Sequence, residues 1–206
     1  FFAAANRLRL PIVVHMRTSI DLRRRYGADA ARVFLDAILP AAPDVPVQIA
    51  HLAGAGGYAA ATDSALIVFV DAIASNDPRM KNVWFDATVV VRPGMSPDDL
   101  QRIATRIRQI GVGRVLYGSD AAASPLTHPR AGWQAFRRLP LTDEEFATIA
   151  NNGPRGSTGR VGWRGTGQAT TWQPGRPAIG GNDPHGFEPG APPAAGGPGL
   201  RRGGPP

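Results

Sequence analysis

Two histidines and two aspartates of this 206-residue chain stand in or beside short apolar runs. His15 closes LPIVVHM (10–16), His51 lies in VQIAHLA (47–53), and Asp120 follows VLYGS (115–119). Asp86 sits inside VWFDATVVV (83–91), where its carboxylate is expected to bond loop backbone near any site. Neutral imidazoles and a carboxylate are the nitrogen and oxygen donors that zinc or a similar divalent cation takes, and an imidazole also moves protons near neutral pH. Arg17, two residues beyond His15, carries a planar fork that fits a substrate carboxylate, although a solvated loop arginine is the plainer reading. Taken alone, a histidine at a strand end is commonly a hydrogen-bonded structural residue, and an aspartate after a strand a cap or turn residue. Joint placement at the ends of three different runs is what weights them toward a shared site. His128, beside Pro129 in an expected loop, and His185, near the C-terminus, read as solvated bystanders. The sequence holds no cysteine, which excludes thiolate ligands, thiol nucleophiles and disulfides.

For these residues to meet, the runs that carry them must be neighbouring strands. None of the four runs alternates cleanly between apolar and polar residues, so each reads as a parallel strand buried on both faces. Helical patterns separate them. Residues 28–39 place Ala31, Phe34, Leu35 and Ile38 on one stripe, ended by Pro40; residues 58–75 form an Ala-rich, mostly apolar pattern. Ser96 caps a helix with Pro97 at its first position, Leu100, Ile103, Ile107 and Ile110 on one face, and Gly111 as its stop. Thr142 and Glu145 make a capping box for a last helix running toward Ala150. The order β-α-β-α-β-α-β-α means an α/β fold with a parallel sheet, and ligands gather at the C-terminal ends of such strands. Pattern alone leaves a doubly wound sheet and half of a TIM (β/α)8 barrel, since a whole barrel needs about 250 residues.

Composition changes abruptly near Asn152. Residues 153–206 hold 16 of the 25 glycines and 10 of the 20 prolines, with no collagen period. Without apolar periodicity this segment cannot offset its ordering entropy, so a disordered Gly/Pro/Arg-rich tail is expected at 153–206, after a folded part at 1–152. The net charge of +7 divides into +4 for the tail and +3 for the body. A mildly basic body with both signs mixed argues against a nucleic-acid footprint. The longest apolar stretch, 64–74, is interrupted by Asp71 and is too short for a bilayer, and no secretory pattern opens the chain. A cytoplasmic protein with a small-molecule substrate and no membrane partner is the expectation. The opening Phe1-Phe2, without Met, reads as the inside of a larger sequence.

LPIVVHM, VQIAHLAGAGG and RVLYGSDAAASP, in that order and spacing, resemble successive signatures of the amidohydrolase-2 family. Its members are metal-dependent TIM-barrel hydrolases, together with the aminocarboxymuconate-semialdehyde and related aromatic-acid decarboxylases. The resemblance covers roughly residues 3–152 and implies the C-terminal half of the barrel, strands five to eight. It implies His15 as a metal ligand on strand five and His51 as a catalytic group closing strand six. Asp120, after strand eight, would be both ligand and activator of water. Residues 83–91 resemble strand seven, and FATIANN (146–152) resembles the helix that ends the barrel.

The implied cofactor is a divalent metal, with zinc the first choice. The implied reaction is attack of activated water on a small carboxylate-bearing or cyclic ester or amide substrate, and non-oxidative decarboxylation uses the same constellation. Two departures stand against it. The His-x-His motif of the family's first strand is absent, and strands one to four have no counterpart here. His15 and Asp120 alone fall short of the three protein ligands that zinc sites use. A catalytically inactive remnant is therefore the competing expectation. On either reading the isolated chain is expected to be inactive and of low stability, with exposed strand edges open to self-association into a barrel-like homodimer. Binding of RNA through the tail ranks below both.

Overall fold

Four parallel strands lie side by side in chain order: β1 (Ile12–Val14), β2 (Val47–Ile49), β3 (Val83–Asp86) and β4 (Val115–Leu116). The computed structural model describes residues 1–16, 26–121 and 128–153. The register runs Ile12 to Val47, Val47 to Val83, and Phe85 to Val115. Sequential order without a reversal is how strands follow one another around a barrel wall; a doubly wound sheet reverses at its switch point. The chain is thus an α/β unit with the strand arrangement of half a TIM barrel. Arg17 and the segment 154–206, including His185 and nearly all of the expected tail, lie outside the described residues.

The helices are α1 (Phe2–Arg7), α2 (Ala28–Val33), α3 (Ala60–Ala74), α4 (Pro97–Ile110), α5 (Pro129–Phe136) and α6 (Asp143–Asn151). The stripe of α2 continues through a π-helical turn, Phe34–Ile38, and a 3-10 turn, Leu39–Ala41. Ser96 Oγ accepts the Asp99 amide at the start of α4, and Gly111 ends that helix at φ 96°. Thr142 and Glu145 form the reciprocal capping box of α6. Val47, Ile49, Phe85 and Val115 are wholly buried between the sheet and the helix faces carrying Leu66, Phe69, Ile103 and Ile107. An edge-to-face series of rings, Phe2–Phe34–Phe69–Phe85, ties α1 to the middle of the sheet. Past the last helix, Asn152 donates its amide to the carbonyls of Val112 and Val115 at 2.9 and 2.7 Å, pinning α6 to the start of β4.

Several expectations need correction. The strands are two to four residues long, much shorter than their apolar runs. β2 stops at Ile49 because the chain turns left-handed at His51, and β3 stops at Asp86, whose side chain then binds the backbone around it. Val89, at φ 51°, cannot continue a strand. β1 is not buried on both faces: Val13 is 68% exposed. His128 is exposed in the loop, as expected, and immediately precedes α5, whose first residue, Pro129, has a φ that suits a helix start. Neither α1 nor α5 was expected.

Candidate functional site

Parallel register brings the four strand ends to one rim. Val14 pairs with Ile49 and Ile49 with Phe85, so the residues just beyond them, His15, His51 and Asp86, emerge close together. The two imidazoles meet edge to face with ring centroids 4.8 Å apart. His51 is buried, whereas His15 is exposed.

The conformation of His51 is unusual for an ordinary side chain. His51, Leu52 and Ala53 all have positive φ, at 53°, 49° and 63°. Three consecutive non-glycine residues in the left-handed region cost about 1–2 kcal/mol each, so the surroundings must impose the turn. Asp86 does much of this. Its Oδ1 accepts the amides of His51 (3.0 Å) and Thr88 (3.1 Å), and its Oδ2 accepts the Gln48 side-chain amide (2.8 Å). The expectation that Asp86 bonds nearby backbone holds. The imidazole itself bonds through Nδ1 to the Thr88 carbonyl at 2.8 Å. A carbonyl only accepts, so Nδ1 carries a proton, and in the neutral ring it is Nε2 that bears the lone pair for a proton or a ligand. A buried imidazole with a fixed tautomer is what a proton carrier requires.

The turn is closed by close approach. A Cβ on Gly54 would stand 2.8 Å from Thr62 Cγ2 and 2.9 Å from the His51 carbonyl, so only hydrogen fits there. Gly56 and Gly57, at φ 86° and 73°, complete the turn into α3, with the Gly57 amide on the Val89 carbonyl at 2.7 Å. Behind it, Tyr58 donates to Asp63 at 2.6 Å, and Arg106 of α4 holds the same carboxylate through two bonds of 2.8 and 3.1 Å. Arg106 keeps the Asp63 carboxyl below its ordinary range, while burial, then Asp63, pushes the Tyr58 phenol far up. These groups fasten the loop to two helices.

Asp120 stands apart from this pair in the chain. It is exposed, four residues beyond the end of β4, at φ 52°. Among the described residues no three His, Cys, Asp or Glu side chains gather closely enough to hold an ion. At the ends of β3 and β4 lies an apolar cleft of about 110 Å³, lined also by α5 and bordered by Arg92 and Ser119. Sequence reasoning singled out neither Arg92 nor the Thr88 carbonyl. An arginine directly after a β-branched run was a usable signal; a backbone carbonyl leaves none.

Residues 1–155 match the family described as Amidohydrolase. The chain belongs to the amidohydrolase family. Among solved structures, this amidohydrolase chain is similar to amidohydrolase 2 from Bifidobacterium longum subsp. infantis, at 19% identity over 73% of this chain and 49% of that one, with a TM-score of 0.42. It is similar also to a 2,6-dihydroxybenzoate decarboxylase complexed with 2,6-dihydroxybenzoate, at 14% identity over 71% of this chain and 50% of that one, with a TM-score of 0.44. The chain spans about half the length of these two structures. No curated protein matches it. Among the described residues, no helix is long and apolar enough to cross a membrane.

The family is generally metal-dependent, so the donor set of this amidohydrolase chain must be tested against an ion. His51 offers Nε2, and His15 brings a second imidazole beside it. Among the described residues no third donor joins them, and zinc sites use at least three. The described residues do not by themselves fit a complete metal centre.

Proposed function

We propose that this chain carries half of the catalytic rim of an amidohydrolase-family hydrolase, with His51 as its proton carrier. The substrate class is a small carboxylate-bearing or cyclic ester or amide molecule. The observation that supports this reading is the His51 imidazole, buried and bonded through Nδ1 to the Thr88 carbonyl on a strained turn braced by Asp86. A structural histidine needs no such strain; one presented for chemistry gains a fixed tautomer and direction from it.

In the reaction, Nδ1 stays bound to the carbonyl while Nε2 gives or takes the proton of the reacting oxygen. Asp86 does not touch substrate; it orients the imidazole through the backbone. Decarboxylation is the alternative within the same family, where the same Nε2 would protonate a substrate carbon. His15 and Asp120 are offered as two donors for a divalent cation, zinc first. Since the described residues do not complete its shell, no step is derived through it. Arg17 is offered as a contact to a substrate carboxylate.

A second reading, a catalytically inactive remnant, is favoured by the lack of a third donor among the described residues. Metal content of the purified chain, with and without His15→Ala, separates the two, since only the enzyme reading expects an ion held through His15; turnover tests the role of His51. The chain, supplied with a divalent cation, is assayed for carbon dioxide release from small organic acids and for hydrolysis of their esters and amides. His51→Gln is expected to lower kcat/KM by about 100-fold or more at an unchanged melting temperature. An unchanged rate in that variant refutes the role of His51.

A further inference from the structure

We propose that the cleft beyond β3 and β4 binds a compact organic carboxylate, with its apolar part between the strand ends and α5 and its carboxylate on Arg92. The walls come from Val89, Val91, Pro93, Tyr117 and Phe136, with Arg92 on the border. Burial raises the Tyr117 phenol above its ordinary range, so this wall stays uncharged at neutral pH. An apolar wall attracts hydrocarbon and offers nothing to hold a charged end, which falls to the one cation at the border.

Arg92 is placed for that task. Its guanidinium packs on the backbone of the turn that follows His51: a Cβ on Gly57 would stand 3.0 Å from its Nε and 3.3 Å from its Cζ. Arg138 holds the loop from beneath, donating to the carbonyls of Arg92 and Met95 at 3.1 and 3.2 Å, and adds a second positive charge. Arg32, Arg79, Arg102, Arg106, Arg108 and Arg137 each hold a carboxylate; among the described residues the Arg92 guanidinium holds none. A positioned, unpaired fork matches the two oxygens of a carboxylate. Size narrows the class. A cleft of about 110 Å³ is smaller than the roughly 150 Å³ cavity that encloses a benzene ring, so the enclosed part is a short or branched chain of about four carbons.

This assignment rests on the rim being a substrate site, so binding is measured apart from turnover. The 15N-labelled chain is titrated with isobutyrate and with isobutyramide, its uncharged twin. Isobutyrate is expected to shift the amides of Val89, Val91 and Gly132 saturably and to bind about tenfold or more tightly than the amide, as a charge-assisted pair requires. Arg92→Gln should abolish that difference, and Arg92→Lys should retain part of it. Equal affinities for the two ligands, an unaffected Arg92→Gln variant, or silence at those amides overturns the assignment. Failed binding beside His51-dependent turnover removes the cleft and leaves the proposed activity standing; binding beside turnover indifferent to His51 does the reverse.

Discussion

Replacing Asp86 by alanine removes the acceptor that holds the histidine turn in place. Its carboxylate takes the amides of His51 and Thr88 at 3.0 and 3.1 Å, both buried, and the partly buried Gln48 amide at 2.8 Å. Leaving a buried amide without a partner costs about 1–3 kcal/mol, so the two backbone groups together cost about 2–6 kcal/mol if the turn stays as it is. Against that stands the left-handed strain of residues 51–53, about 3–6 kcal/mol in sum. The two quantities are comparable, so the alanine variant has every reason to unwind the turn rather than keep it, and the net loss settles near 2–4 kcal/mol. Unwinding draws the imidazole off the Thr88 carbonyl. Asparagine at the same position behaves differently. Its amide oxygen still accepts both backbone groups, and Gln48 flips to meet its nitrogen, so only the charge assistance is lost, about 1 kcal/mol. Urea unfolding followed by circular dichroism gives the two stabilities. Nitrogen-15 spectra of the His51 ring report which nitrogen is protonated. The expected pattern is a large loss with a changed ring signature for Asp86→Ala, and a small loss with an unchanged one for Asp86→Asn. Alanine and asparagine variants of equal stability, or an alanine variant whose His51 proton stays on Nδ1, would refute the claim that this carboxylate imposes the turn.

Two further expectations concern the scaffold. Gly54→Ala drives a Cβ against Thr62 and the His51 carbonyl, and should cost about 1–3 kcal/mol in urea unfolding, with the ring signal of His51 shifting in step; a neutral substitution would show that the turn has slack. Arg108 holds the Glu145 carboxyl at about 2, below its ordinary 4.5. The pair therefore stabilises the fold fully above about pH 4.5 and loses that contribution as pH falls toward 2. Because Arg108 is 39% exposed, solvent screening limits the contribution to about 1 kcal/mol. Glu145→Gln should flatten acid unfolding across that window, and an unchanged acid transition would discount the ion pair.

How far the sequence carries depends on whether a feature is local. Apolar runs and their spacing were enough to show four parallel strands separated by helices, because a buried strand and an amphipathic helix each leave a periodic trace. The caps of α4 and α6 were legible for the same reason, since Ser96, Thr142 and Glu145 act on backbone within one turn of themselves. The family was legible too, in the wording around His15, His51 and Asp120. Strand lengths were not. β2 and β3 end where Asp86 reaches His51 across 35 residues of sequence, and no local pattern records that bond. Joint placement pointed His15 and His51 to a shared site, and they do meet; no pattern recorded the left-handed turn that carries Asp120, four residues beyond its strand. Residue types set which chemistry was available; parallel pairing, which aligns strands distant in the chain at one height, decided which of those groups became neighbours.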